Sequence, residues 1–188
     1  MRIFLFLFLT LNLGLSAQTK VNGEALATSA LSLVNPNIIY NPAYFSLDYP
    51  MGDVPAQYGV CTDVIIRAYR LHKIDLQQLV HEDMRANFKA YPKNWGLSKP
   101  DKNIDHRRVP NLMTFFERQG AKQPISKNAS DYKKGDIVCW DLGQGILHIG
   151  LVVKTKNKVL LLHNIGGGQI LEACLFKYTI IGHYRYWP

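Results

Sequence analysis

Short metal-ligand pairs are missing from this chain. It contains neither C-x-x-C nor H-x-x-x-H, so a metal site assembled from Cys139, His148, His163 and Cys174 ranks low, and no cofactor is expected. Clustered lysine and arginine with interleaved aromatics is also missing, as is any nucleic-acid motif. The net charge of +8 therefore does not point to nucleic acid. It fits a general attraction to an anionic envelope polymer, or a solvated basic surface with no partner. Internal repeats and low-complexity segments are absent, and the apolar content suffices for one domain's core. Cysteine is scarce. Cys61, Cys139 and Cys174 allow at most one internal disulfide. If Cys61 is a working thiol, only Cys139 and Cys174 remain to pair.

The long apolar run over residues 3–15 follows Arg2 and ends in Ser16-Ala17 before Gln18. A basic end, an apolar core and a small-residue cleavage site form the layout of a secretory signal peptide. The run is too short for a stable transmembrane span. No cysteine follows it closely, which argues against a lipid anchor. Residues 1–17 are thus expected to be a signal peptide and residues 18–188 one domain, exported to the periplasm or the medium. Loss of Arg2 leaves one positive charge fewer than +8.

Residues 24–33 read as a first helix, ended by Asn35-Pro36, and residues 40–55 as an extended lead-in. Within 58–70, Gly59 breaks the preceding chain, and Val64, Ile65, Ala68 and Tyr69 recur at helical spacing. A further helix starts at Asp75, which is available as its cap, with Leu76, Leu79, Val80 and Phe88 on one face. Residues 91–105 resist regular structure. Pro110 opens another helix through Leu112, Met113, Phe115 and Phe116, closed by Gly120. Beyond about residue 122 the runs 137–140, 146–153, 159–162 and 180–186 read as short strands of an antiparallel meander. Helices first and strands later predict an α+β domain, with the helices N-terminal and an antiparallel sheet C-terminal.

Cys61 falls at the start of the second helix. There the unpaired N–H groups and the positive dipole end stabilise a thiolate, which, given a histidine partner, draws the thiol from ~8.5 toward neutrality. The alternative is a small buried cysteine packing under the helix. His148 lies on an apolar strand, and His163 closes the next one. Adjacent antiparallel strands can place such residues side by side. A thiolate needs a base within reach, and that base needs a polar group to hold its tautomer. Cys61, His148 and either His163 or Asn164 are the required residue types. A pair of hydrogen-bonded core histidines is the competing reading.

Cys61 at a helix start, Gly135-Asp136-Ile137-Val138 opening a strand, His148-Ile149-Gly150 on the next and His163 on the one after resemble the NlpC-type cysteine peptidases of bacterial cell walls. The finer pattern is similar to a family of exported bacterial proteins known as a domain of unknown function. It comprises Gly52-Asp53-Val54-Pro55, the cysteine stretch, Asp105-His106-Arg107-Arg108-Val109-Pro110-Asn111, His163-Asn164-Ile165-Gly166 and Gly182-His183-Tyr184-Arg185. The resemblance covers nearly all of the mature chain. It implies a circularly permuted papain-like fold and cleavage of amide bonds in peptidoglycan stem peptides. It further implies Cys61 as nucleophile, His148 as base and acid, His163 as the orienting third member, and Tyr58 as an aid to the oxyanion site.

Two features depart from the resemblance. NlpC enzymes usually carry an aspartate directly before the cysteine, where this chain has Val60, and the segment between the cysteine helix and Gly135 is long. Both bear on the substrate more than on the chemistry. Asp63 is a candidate site residue, although an acidic group in a helix's first turn is favourable anyway. Asp105, His106, Arg107 and Arg108 could clamp a substrate carboxylate, or could be a structural ion-pair cluster ahead of the Pro110 helix. Two other classes remain open: a catalytically silent envelope-binding module, and a thiol acyl hydrolase or transferase acting on something other than peptidoglycan.

Overall fold

The computed structural model describes residues 21–154 and 158–188, so the signal peptide expected over residues 1–17 lies outside the described residues. Helix α1, Gly23–Ala30, starts where the Asn22 side chain accepts from the Ala25 N–H, and a 3-10 turn over Leu31–Leu33 completes the expected segment. Two short strands, β1 (Ile39–Tyr40) and β2 (Tyr58–Gly59), pair in parallel and set Tyr40 beside Gly59. Helix α2 follows at once as Cys61–Arg70. It is buried along most of its length, with Val64, Ile65, Ala68 and Tyr69 fully enclosed. Helix α3, Leu76–Asn87, is capped by Asp75 as expected. After an irregular stretch come a 3-10 turn over Asp105–Arg107 and helix α4, Val109–Arg118, with Pro110 in its first turn.

The second half is a five-stranded antiparallel sheet: β3 (Ile137–Asp141), β4 (Leu147–Lys154), β5 (Leu160–His163), β6 (Ile170–Glu172) and β7 (Thr179–Tyr184). Its order is β6-β5-β4-β3-β7. Two expectations are corrected here. The last strand returns to pair with β3 instead of extending a meander, and β6 was missed because it is three residues long beside a glycine run.

Strand alternation sorts the sheet into two faces. Ile137, Cys139, Ile149, Leu151 and Leu162 face α1, α2 and α4 in the main core. Val138, Trp140, Val152 and Leu161 face the other way, against Tyr132, Cys174 and Leu175. Cys139 and Cys174 are therefore on opposite faces, and all three cysteines are free. Among the described residues, no helix is long and apolar enough to cross a membrane.

One buried ion pair fastens the helical half together. Arg107 donates to both Asp63 oxygens, at 2.9 and 3.0 Å, and also to the carbonyls of Ala43 and Asn41. Asp63 in turn accepts from the Val60 N–H at 2.7 Å. Both side chains are almost wholly buried, at 2% and 3% exposure. Removing one partner of such a pair strands a charge. Arg107→Met is expected to cost about 3–5 kcal/mol of unfolding free energy in urea titrations. A loss below about 1 kcal/mol would contradict this role.

Candidate active site

Cys61 is the first residue of α2, and its sulfur meets the sheet where one ladder ends. Pairing of β4 with β5 stops at Leu151 and Leu162, so the Ile149 amide is not taken up by β5. The thiol receives it instead, together with the Thr62 amide and the Tyr40 hydroxyl. Cys61 thus lies against the residue that follows His148.

His148 is 2% exposed and stacks on Trp140, ring centres 5.7 Å apart. The indole is itself held by a 2.9 Å bond from its Nε1 to the Leu175 carbonyl. His148 Nε2 is 2.8 Å from His163 Nδ1, which leaves Nδ1 of His148 outside that bond; the ring stands with Trp140, on the sheet face opposite the Ile149 side chain. Gly150 permits this closeness: a Cβ there would fall 3.2 Å from the indole and 3.3 Å from the His163 Cβ.

Behind His163 stands Glu172, its Oε2 3.2 Å from Nε2 and its Oε1 2.8 Å from the Lys177 ammonium. The lysine, chiefly, holds the Glu172 carboxyl below its usual range. An ionised carboxylate can only accept, so His163 carries its proton on Nε2 and its Nδ1 accepts from His148 Nε2. The chain of bonds leaves a lone pair on His148 Nδ1.

Charge in this site is governed by burial. Desolvation lowers His148 to about 3, with the neighbouring His163 adding to the effect. Burial also pushes the Cys61 thiol up to about 11, and Asp63 adds to it; the Ile149 and Thr62 amides and Tyr40 pull the other way and do not win. The expectation of a thiol near neutrality is corrected accordingly. A helix terminus is worth about 0.3–1 kcal/mol, less than the loss of water around a buried thiolate. The resting pair is a neutral thiol and a neutral imidazole.

The other expected site residues separate. Asn164 turns away from His148 and donates to the Gly59 carbonyl at 3.2 Å, so of the two it is His163 that meets the His148 ring. Tyr58 packs on Phe45 and lies outside the groove at Cys61, where Tyr40 stands instead. Asp63 and Arg107 are committed to each other. His106 is buried beneath the helices with its Nδ1 unpartnered, lowered to about 3 by desolvation first and then by Arg70. Asp105 is raised to about 6 by its own burial.

Arg108 does line the groove. Its guanidinium lies 4.0 Å over Trp95 and 3.8 Å from Asp105, and its Nη1 has no hydrogen bond. The groove encloses about 600 Å³, and Tyr40, Cys61, Trp95, Arg108 and Leu147 are among its walls. Sequence reasoning missed Tyr40, Trp140 and Glu172. The only signal for Tyr40 was a short apolar run, Ile38-Ile39-Tyr40, ahead of the extended segment.

Cys61 should be alkylated by iodoacetamide at a rate that keeps rising from about pH 7 to about pH 10, because the thiolate is scarce below that range. Tyr40→Phe removes a donor that favours the thiolate and should slow the reaction about 10-fold at fixed pH, read by peptide mass spectrometry. A rate already on its plateau at neutral pH would refute the neutral resting pair.

A solved structure shares this architecture: an N-acetylmuramoyl-L-alanine amidase from Bacteroides uniformis ATCC 8492, with a TM-score of 0.53. The match covers 88% of this chain and 99% of that one at 14% identity, a likeness of fold. The uncharacterized protein YijF of Escherichia coli (strain K12) is 52% identical over 165 residues, 86% of this chain and 80% of that protein. Residues 27–186 match the model of a domain of unknown function, DUF1287. The family model and the relative each cover most of the chain, and the chain belongs to the DUF1287 family.

Proposed function

We propose that the protein is an exported cysteine hydrolase that cleaves amide bonds in peptidoglycan stem peptides, with the permuted papain-like order of a nucleophile helix ahead of a sheet bearing the base. One observation carries this reading: a thiol at a helix start, on an open groove, takes the amide of Ile149, the residue after a histidine whose Nε2 is held by a His163–Glu172 pair.

Each residue then has a role. Cys61 attacks the substrate carbonyl while His148 Nδ1 takes the thiol proton. The oxygen that becomes negative is met by the Cys61 backbone N–H and by the Tyr40 hydroxyl. His148 returns its proton to the departing amine, which leaves a thioester on Cys61. Water, deprotonated by the same ring, then releases the acid. His163 and Glu172 orient His148 and hold its tautomer throughout.

Two features support a cell-wall substrate. The fold neighbour is named for an amidase of that class. Arg108, its guanidinium 4.0 Å from the Trp95 ring centre among the walls of the groove, suits the free carboxylate of an acidic peptide. It takes the clamp role alone from the cluster at 105–108.

The test is kcat/KM on a defined muropeptide, with melting curves to check folding. His148→Ala should lose about 10²–10⁴-fold, the usual contribution of a positioned acid–base group. His163→Gln should lose less, because an amide oxygen can still accept from the His148 ring. A near-wild-type His148→Ala would sink the mechanism.

A further inference from the structure

Beyond the groove, on the far side of His163 from Cys61, three donors of different kinds converge. His163 Nε2 lies 3.2 Å from Glu172 Oε2 and 3.7 Å from Cys174 Sγ. The three ligand atoms all fall within 4.8 Å of one another. Glu172 and Cys174 are two residues apart, the spacing that puts both on one side of an extended chain. His163 and Cys174 are buried, whereas Glu172 is partly open to solvent.

We propose that His163, Glu172 and Cys174 bind a divalent transition metal of the zinc class, and that its occupancy silences the histidine pair.

The spacing fits the ion. Bond lengths of about 2.0–2.1 Å to nitrogen, 2.0–2.2 Å to oxygen and 2.3 Å to sulfur at tetrahedral angles place nitrogen about 3.3–3.5 Å from oxygen and about 3.6 Å from sulfur. The two distances from His163 Nε2, 3.2 Å to Glu172 Oε2 and 3.7 Å to Cys174 Sγ, lie within about 0.2 Å of those values. A mixed nitrogen, oxygen and thiolate set suits zinc and disfavours calcium or magnesium. Lys177 bonds the other Glu172 oxygen and leaves Oε2 to the ion, while Glu172's exposed side gives an entry path and a fourth position for water. The absence of short ligand pairs does not bear on this set, because its third member is a carboxylate and not Cys139, which faces the opposite side of the sheet.

Occupancy would reverse the proton order. Without metal, Glu172 takes the His163 Nε2 proton, and both rings are protonated on Nε2. A metal on Nε2 needs that lone pair, so the His163 proton moves to Nδ1 and is donated to His148 Nε2. The neutral His148 must then carry its own proton on Nδ1, which has no lone pair left to act as a base. Cys174 binds as thiolate and releases one proton to solvent; the two rings keep one proton each.

The silencing rests on the proposed hydrolase reading, whereas the binding does not. Cobalt(II) titration of the mature protein tests the site: one equivalent should give a thiolate-to-cobalt charge-transfer band, kept in Cys61→Ala and lost in Cys174→Ser. Absence of the band, or its survival in Cys174→Ser, would overturn the site. Zinc should lower muropeptide hydrolysis at least 10-fold, EDTA should restore it, and Cys174→Ser, measured against its own metal-free rate, should resist zinc. Zinc bound in the wild type without loss of rate would overturn the switch. A protein that gives the cobalt band but cleaves no stem peptide would retire the hydrolase reading and the switch, and leave the site standing.

Discussion

The Asp63–Arg107 pair is the constraint on which the site depends, because it joins three segments that share no local order. Asp63 belongs to the first turn of α2, Arg107 to the 3-10 turn ahead of α4, and the carbonyls that Arg107 also takes, Asn41 and Ala43, follow β1. The Thr62 hydroxyl closes the same junction by donating to the Arg107 carbonyl at 3.1 Å. With these fixed, Tyr40 comes to stand over the thiol, and Arg108, the next residue along, faces the groove. Two charges buried at this depth are costly to desolvate, and their bidentate geometry and the extra carbonyl acceptors offset that cost.

On the sheet side, burial sets the chemistry. His148 and His163 sit on an apolar floor beside Trp140, which keeps both rings neutral, so their protons can be ordered from the Glu172 end by hydrogen bonds alone. The same burial holds the thiol protonated until a substrate arrives. A neutral thiol is slow to alkylate and to oxidise, because the thiolate is the reactive form.

Much of this was legible in the sequence. The Val64, Ile65, Ala68 and Tyr69 spacing located α2 and put Cys61 at its start, and alternation on a strand showed that only one of His163 and Asn164 could meet His148. What stayed hidden was set by contacts distant in the chain. Asp63 and Arg107 are 44 residues apart, and nothing local marks them as partners. Tyr40 reaches the thiol only through a two-residue parallel pairing, too short to leave a periodic pattern. Glu172 lies on a three-residue strand beside a glycine run, where alternation has no length to register. The thiol's high pKa was out of reach for the same reason, since helix position can be read from spacing and depth of burial cannot.

The central claim is that Cys61 forms a covalent bond to the acyl part of a peptide. It is tested most directly by acid-quenching the mature protein during turnover of a muropeptide and measuring its intact mass. The account predicts an adduct on Cys61 equal in mass to the acyl fragment less the departed amine, absent in Cys61→Ala. Hydrolysis that proceeds undiminished in Cys61→Ala would contradict it.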